Sequence, residues 1–225
     1  MIKIIKFLGW FCIAVQILFV FAPALSKQEK DCKSNGLPPM IALELLKNKE
    51  EAQKINECLG ATGRDAMKTN LDIDTFGFVP FYVILGLFLC YLLFRRDGNL
   101  PKGLAVAGAI LLIITALCDV FGENPYIKEV LDGNYEQLSA LYFWSIAKWA
   151  AGFVFIAVVS TLFWRGKHLM SGTFSLALLA SITGLYGIFS NHVFISVAFT
   201  LTVLCFFCIG ISFVGDAGYF WKEKK

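Results

Sequence analysis

Residues 117–125, LCDVFGENP, end a long apolar run with two carboxylates, Asp119 and Glu123, four residues apart. This spacing puts both side chains on one face of a helix. Because Asn124 precedes Pro125, and a residue before proline disfavours helical dihedrals, we expect the helix to end near Glu123. Carboxylates are unfavourable at that end, where the helix dipole is negative, so a positive group is expected to pair with them.

Lys148, in the stretch FWSIAKWAAG, is the positive group that lies within another apolar run. It lies about 10 Å below the outer boundary of its run, and its long stem can reach outward to the depth of Asp119. We predict an Asp119–Lys148 pair that Glu123, Asp74 and Tyr82 join. Ionisable groups inside a membrane indicate function by default, and the alternative is a structural ion pair that sets helix register.

A metal site is another interpretation, because carboxylate and amide oxygens suit calcium or magnesium. Its ligands would be Asp74, Asp119, Glu123 and Asn124. Lys148 opposes this interpretation, since a resident ammonium repels a second cation, and we predict no metal and no cofactor. The chain has only two histidines, which gives no zinc site, and no Ser-His-Asp or Cys-His arrangement is found. The sequence therefore favours a protein that is not an enzyme.

The elements that position these residues are apolar helices. The 225 residues are 57% hydrophobic and 16% charged, with a mean hydropathy of +0.67, which excludes an ordinary soluble domain. A membrane crossing needs about 20 apolar residues, and six runs qualify. They are residues 7–25, 76–94, 103–121, 141–164, 169–189 and 193–214. We predict an all-α, polytopic transmembrane bundle of six crossings, in which we find no internal repeat.

The basic residues gather at one set of helix ends, which the positive-inside rule assigns to the cytoplasm. They are Lys3, Lys6, Arg95, Arg96, Lys102, Arg165, Lys167, Lys222, Lys224 and Lys225. Both termini are then expected in the cytoplasm. We expect the protein to lie in a cell membrane, the bacterial inner membrane. Because this charge serves insertion, and no basic stripe is interleaved with aromatic residues, no nucleic-acid partner is expected.

Three regions follow from this pattern: a first helix or signal anchor at 1–25, an extracytoplasmic helical segment at 26–75, and a five-helix bundle at 76–225. The stretch FAPALS places Ala22 and Ala24 at the spacing of a signal-peptidase site, so cleavage, leaving five crossings, is the alternative. Pro38 and Pro39 mark the start of helical periodicity in the middle region, and Gly60 is a candidate stop.

The cysteines offer a redox interpretation. Cys32 and Cys58 lie in the outer segment, where we predict a disulfide. Cys205 and Cys208 form a C-x-x-C on one face of the last apolar run. Together the two pairs resemble, in outline, quinone-linked thiol oxidoreductases such as the vitamin K epoxide reductase family. That resemblance implies a membrane thiol oxidoreductase as an alternative function.

A second resemblance covers most of residues 40–155. The stretches MIALELLKNKEEAQKI, NLDIDTFGFVPFY, LCDVFGENP and SIAKWAAGF resemble a group of uncharacterised bacterial multi-pass membrane proteins. The resemblance brings no activity, but it implies that one set of residues forms a cluster at the outer side. This set is Glu44, Asp74, Tyr82, Asp119, Glu123, Asn124 and Lys148.

The leading functional hypothesis is an outward-facing charged pocket that binds or transports a small polar or anionic solute, a lipid headgroup or a proton. Lys148 would be the anion contact or proton carrier, and Asp119 its counter-ion. The second alternative, beside the oxidoreductase, is a non-catalytic accessory subunit of a membrane complex. The expected partners are the lipid bilayer, a small polar ligand or lipid, and a packing helix or a second copy of the chain.

Overall fold

The computed structural model describes residues 1–21, 32, 34, 37–164, 168–190 and 192–220, with only the backbone at residues 16, 18–21 and 168. The expected cleavage site at Ala22 and Ala24 lies outside these ranges. So do five of the basic residues used for orientation, namely Arg165, Lys167, Lys222, Lys224 and Lys225.

The described residues are helical almost throughout and form no strand, which confirms an all-helical bundle. The helices are α1 (Ile2–Phe21), α2 (Pro39–Glu44), α3 (Lys49–Ile73), α4 (Val79–Phe94), α5 (Asn99–Leu117), α6 (Asn124–Leu131), α7 (Leu138–Ser160), α8 (His168–Phe189), α9 (Val193–Gly215) and α10 (Ala217–Phe220). Two π-helical segments, π1 (Asp74–Phe78) and π2 (Cys118–Glu123), join α3 to α4 and α5 to α6.

Among the described residues, five stretches are long and apolar enough to cross a membrane, which makes this a multi-pass membrane protein. They are Lys49–Phe94, Asn99–Leu131, Leu138–Ser160, Leu169–Phe189 and Val193–Gly215. Neighbours in sequence pack together, in the order α4, α5, α7, α8 and α9, and α1 packs along α9. At the last contact Gly9 meets the backbone of Gly210, where an added Cβ would come within 2.8 Å of the carbonyl oxygen. The sixth crossing remains a prediction for α1.

The helix that carries the second apolar run begins well before residue 76. One helical path runs from Lys49 to Phe94 through π1. Gly60 interrupts the path with a φ of 61°, a left-handed conformation that suits glycine. The helix resumes directly afterwards, so Gly60 marks a kink between two helical pieces and does not end the helix.

The expected helix end near Glu123 is wrong, because the helix continues through π2 and α6 to Leu131. Asn124 keeps helical dihedrals, φ −59° and ψ −42°, although proline follows it. Proline lacks the N–H that would bond to the preceding turn, and its ring clashes with the carbonyl four residues back. The wider turn of π2 lies at this position, and Pro125 falls in the first turn of α6, where no donor is required.

One end of the bundle, which we expect to face outward, is covered by α2, the first half of α3 and α6. Cys32 and Cys58 are joined as a disulfide there. Ion pairs between Lys68 and Asp132, and between Lys128 and Asp72 at 2.5 Å, link α3 to α6 and the turn after it. The start of α7 lies at this same end, since the Lys47 ammonium is 5.1 Å from the ring centre of Tyr142.

Candidate functional site

Lys148 lies on the buried side of α7 and is 9% exposed. Its ammonium forms ion pairs with three carboxylates. The nearest is that of Glu123, followed by Asp119 with Nζ to Oδ1 at 3.2 Å and Glu44 with Nζ to Oε1 at 3.3 Å. These three carboxylates are themselves buried, with exposures of 7% for Glu44, 6% for Asp119 and 1% for Glu123. We call Glu44, Asp119, Glu123 and Lys148 the carboxylate–lysine cluster.

Three separate elements bring the cluster together. Asp119 and Glu123 both belong to π2, Lys148 belongs to α7, and Glu44 is the last residue of the short helix α2. The close approach of π2 to α7 depends on Gly122, because an added Cβ would lie 2.4 Å from Cγ of Trp144. A side chain at position 122 would therefore move both carboxylates away from the ammonium.

Neighbouring groups orient the carboxylates. The Tyr82 hydroxyl donates a hydrogen bond to Oδ2 of Asp119 at 2.6 Å. The indole N–H of Trp149 donates to Oε2 of Glu44 at 2.9 Å. The Lys148 ammonium also lies 4.8 Å from the ring centre of Trp149, within the range of a cation–π interaction. Each of these contacts holds its side chain at a defined position in the cluster.

Asp74 lies in a second layer around the cluster. Its Oδ2 accepts a hydrogen bond from Nδ2 of Asn124 at 3.0 Å, and the same amide donates to Oγ1 of Thr75 at 2.9 Å. Asn124 is 3% exposed, whereas Asp74 is only half-buried. Asn124 follows Glu123 directly in the chain, so it connects Asp74 with the cluster.

The charges of the cluster do not balance. If every group is ionised, the three contacting carboxylates exceed the single ammonium by two charges. Within the part of the chain that the structure describes, Oε2 of Glu123 is buried and has no hydrogen-bond partner. The hydroxyl of Ser145, one helical turn before Lys148 on α7, is likewise buried without a partner. Buried polar atoms without partners are rare and call for a physical explanation.

The structure brings five of the seven expected residues, Glu44, Tyr82, Asp119, Glu123 and Lys148, into direct contact. Asp74 and Asn124 are bonded to each other beside them. The central pairing also differs from the expected one. Glu123 is closer to the ammonium than Asp119 is. Sequence reasoning missed Trp149, Ser145 and Thr75. Ser145 lies three residues before Lys148, a spacing that puts both on one helical face and could have indicated it.

A short internal repeat was also missed. Residues 74–80, DTFGFVP, and 119–125, DVFGENP, share the pattern D-x-F-G-x-x-P. Both copies form π-helical turns, with Asp74 at the start of π1 and Asp119 in the first turn of π2. The pattern is visible in the sequence when the two helix ends are aligned on their prolines, Pro80 and Pro125.

The cysteines show no arrangement for thiol exchange. Cys205 and Cys208 are free, and the Cys205 sulfur lies 4.0 Å from the carbonyl oxygen of Thr173. Cys205 lies twelve residues after the start of α9, about 18 Å along the helix from Val193 at 1.5 Å per residue. Cys32 and Cys58 are bonded to each other at the outer cap. The Cys205 and Cys208 thiols are therefore far along the bundle from the Cys32–Cys58 disulfide.

Among the residues that the structure describes, no group of three or more His, Cys, Asp or Glu side chains has the geometry of a metal site. In the cluster, the Lys148 ammonium occupies the centre that a cation would need.

Comparisons with family models, curated proteins and solved structures found no match to this chain. The function is therefore argued from the geometry of the cluster.

Proposed function

We propose that this multi-pass membrane protein binds protons reversibly at the carboxylate–lysine cluster, and that this binding drives a transport function. One observation carries the proposal: a single buried ammonium contacts three buried carboxylates. The unpartnered Oε2 of Glu123 supports it, because this atom is free to accept a proton.

The physical reason is the cost of excess charge away from water. An ionised carboxylate in an apolar environment is strongly unfavourable unless a positive charge or hydrogen bonds compensate it, and such groups neutralise instead. Two protons would balance the cluster without any change in packing. A proton also needs no cavity, which suits a site whose members are all nearly buried.

The other ligands considered from the sequence fit less well. An ammonium has three N–H donors, and those of Lys148 face three carboxylates, so none remains for an anionic solute. The excess negative charge of the carboxylates would also repel an anionic solute. A lipid phosphate meets the same two obstacles. The proton is thus the member of the original hypothesis that the geometry supports best.

We also propose the orientation in which the cluster lies toward the outer face of a cell membrane, a bacterial inner membrane, with both termini cytoplasmic. The positive-inside rule supports this through Lys3, Lys6, Arg95, Arg96 and Lys102. Single cysteines introduced at Glu50 and Lys102, both exposed at opposite ends, test it in intact cells. A membrane-impermeant maleimide should label Glu50→Cys and spare Lys102→Cys, and the reverse pattern would overturn the orientation.

The proton proposal is tested by infrared titration of the purified protein, which detects the C=O band of a protonated carboxyl. We expect such a band at neutral pH in the wild type and in Glu136→Gln, an exposed control. Glu123→Gln should reduce it. If no carboxyl is protonated at neutral pH, or if the two variants are alike, the cluster is a structural ion pair.

Transport is tested separately in proteoliposomes that contain a pH-sensitive dye. An applied pH gradient should collapse faster with wild-type protein than with Glu123→Gln, while Glu136→Gln should match the wild type. Equal rates for the wild type and Glu123→Gln would limit the function to proton binding.

A further inference from the structure

The two copies of D-x-F-G-x-x-P form a reciprocal pair. Asp74 of the first copy accepts a hydrogen bond from Asn124 of the second, at 3.0 Å. Asp119 of the second copy accepts one from Tyr82, two residues after the first copy ends, at 2.6 Å. The two segments run in opposite directions along neighbouring helices. Each aspartate is therefore held by a donor that follows the other aspartate in the chain.

The equivalent aspartates differ in their burial. Asp119 is 6% exposed and contacts the Lys148 ammonium. Asp74 is half-buried and is bound by the amide of Asn124, which directly follows Glu123. One copy of the repeat thus places its carboxylate inside the cluster, and the other places it beside the cluster at a partly exposed position.

We propose that Asp74 is a second proton-binding site, through which protons pass between the outer solution and the carboxylate–lysine cluster. The inference rests on the proposed function. In the inward step the Asp74 carboxylate takes a proton from water or buffer and becomes a carboxylic acid. It then gives the proton to a carboxylate of the cluster, in which Oε2 of Glu123 is unpartnered among the described residues, and returns to the ionised form.

The charged and titratable groups around Asp74 come from every neighbouring element. They are Glu44 from α2, Asp72 from α3, Tyr82 from α4, Asp119 from π2, Lys128 from α6 and Lys148 from α7. Asp72 is paired with Lys128 at 2.5 Å on the exposed side. Asp72 therefore offers a matched control, an aspartate two residues away that faces solvent and does not contact the cluster.

The test is a pH jump on the purified protein, with the infrared band of the protonated cluster followed in time. A positioned acid or base commonly accelerates proton transfer by about 10²-fold or more, so Asp74→Asn should slow the band's appearance at least about tenfold. Asp72→Asn should match the wild type. Asp74→Glu, which restores a carboxyl with a longer stem, should recover part of the rate.

Three results would overturn the inference. The first is an unchanged rate in Asp74→Asn, and the second is equal slowing in Asp72→Asn. The third is a band that loses amplitude in Asp74→Asn while keeping its rate, since Asp74 would then set the cluster's charge and not its access. Absence of the band in the wild type would instead remove the proposed function itself, so the two failures are distinguishable.

Discussion

Replacing Lys148 by methionine removes the one ammonium among the described residues that contacts Glu44, Asp119 and Glu123, while keeping the length of the side chain. The buried carboxylates then lose this counter-charge. Removing one partner of a buried ion pair costs about 3–5 kcal/mol. For a chain of this size each kcal/mol lowers the unfolding midpoint by about 2–4 °C, so we expect a decrease of about 6–20 °C at pH 8.

The decrease should depend on pH. Lowering the pH supplies protons that neutralise the carboxylates, so the penalty of Lys148→Met should shrink between pH 8 and pH 5. The double variant Lys148→Met/Glu123→Gln should recover part of the loss at pH 8, because it also removes one uncompensated charge. Residues in direct contact commonly show coupling energies of about 0.5–3 kcal/mol in such a cycle.

Thermal unfolding in detergent, followed by size-exclusion chromatography of a fluorescent fusion after heating, measures these midpoints. Lys128→Met is the matched control, because Lys128 forms an exposed ion pair with Asp72. Exposed pairs contribute about 0–1 kcal/mol, so this variant should change the midpoint by only a few degrees. The reasoning is refuted if the two lysine variants are equally stable at pH 8, or if the Lys148→Met loss does not change with pH.

Gly122→Ala should destabilise the protein by about 1–3 kcal/mol, because the added methyl group overpacks against the Trp144 ring on α7. Gly77→Ala is the control and should not destabilise it, since no atom lies closer than 4.0 Å to the added methyl group. Similar unfolding midpoints for the two variants would contradict the packing argument. Cys58→Ser opens a closure of 26 residues, which the chain-entropy model values at about 3.5 kcal/mol, and should lower the midpoint more than Cys208→Ser. Non-reducing mass spectrometry should find the bond in the wild type. Burial lowers the pKa of His192 from its usual value of 6.5. Protonation of His192 therefore opposes folding, and stability is lost as the pH falls through the lowered pKa. In His192→Gln this loss should be absent, and a pH dependence of the unfolding midpoint equal to that of the wild type would rule out this role for His192.

Some members of the site were predictable because a charge inside an apolar run is rare and costly. Lys148 and Asp119 stood out for that reason, and Glu123 and Asn124 followed from their place next to Asp119. Glu44 entered only through a resemblance, since nothing in its own stretch places it beside α7. Trp149 gave no signal, because an indole in a membrane helix is most simply a packing residue.

The helix end near Glu123 was predicted wrongly because a local rule about the residue before proline was applied without its surroundings. The π-helical turn accommodates Pro125, and packing of π2 against α7 at Gly122 holds that turn in place. The repeated D-x-F-G-x-x-P pattern was present in the sequence, yet its meaning depends on the hydrogen bonds that cross between its copies.

The sequence by itself determined the helical class, the apolar stretches that can cross a membrane, and the presence of buried charge. These features follow from the composition and from the length of the apolar runs. The helical class follows because a chain in lipid must satisfy its backbone hydrogen bonds within each helix. Only the tertiary structure decided which carboxylate lies nearest Lys148, and that Glu44 reaches Trp149 across 105 residues of chain. Those contacts depend on how the helices pack, and the packing, not the local sequence, leaves three carboxylates around one ammonium.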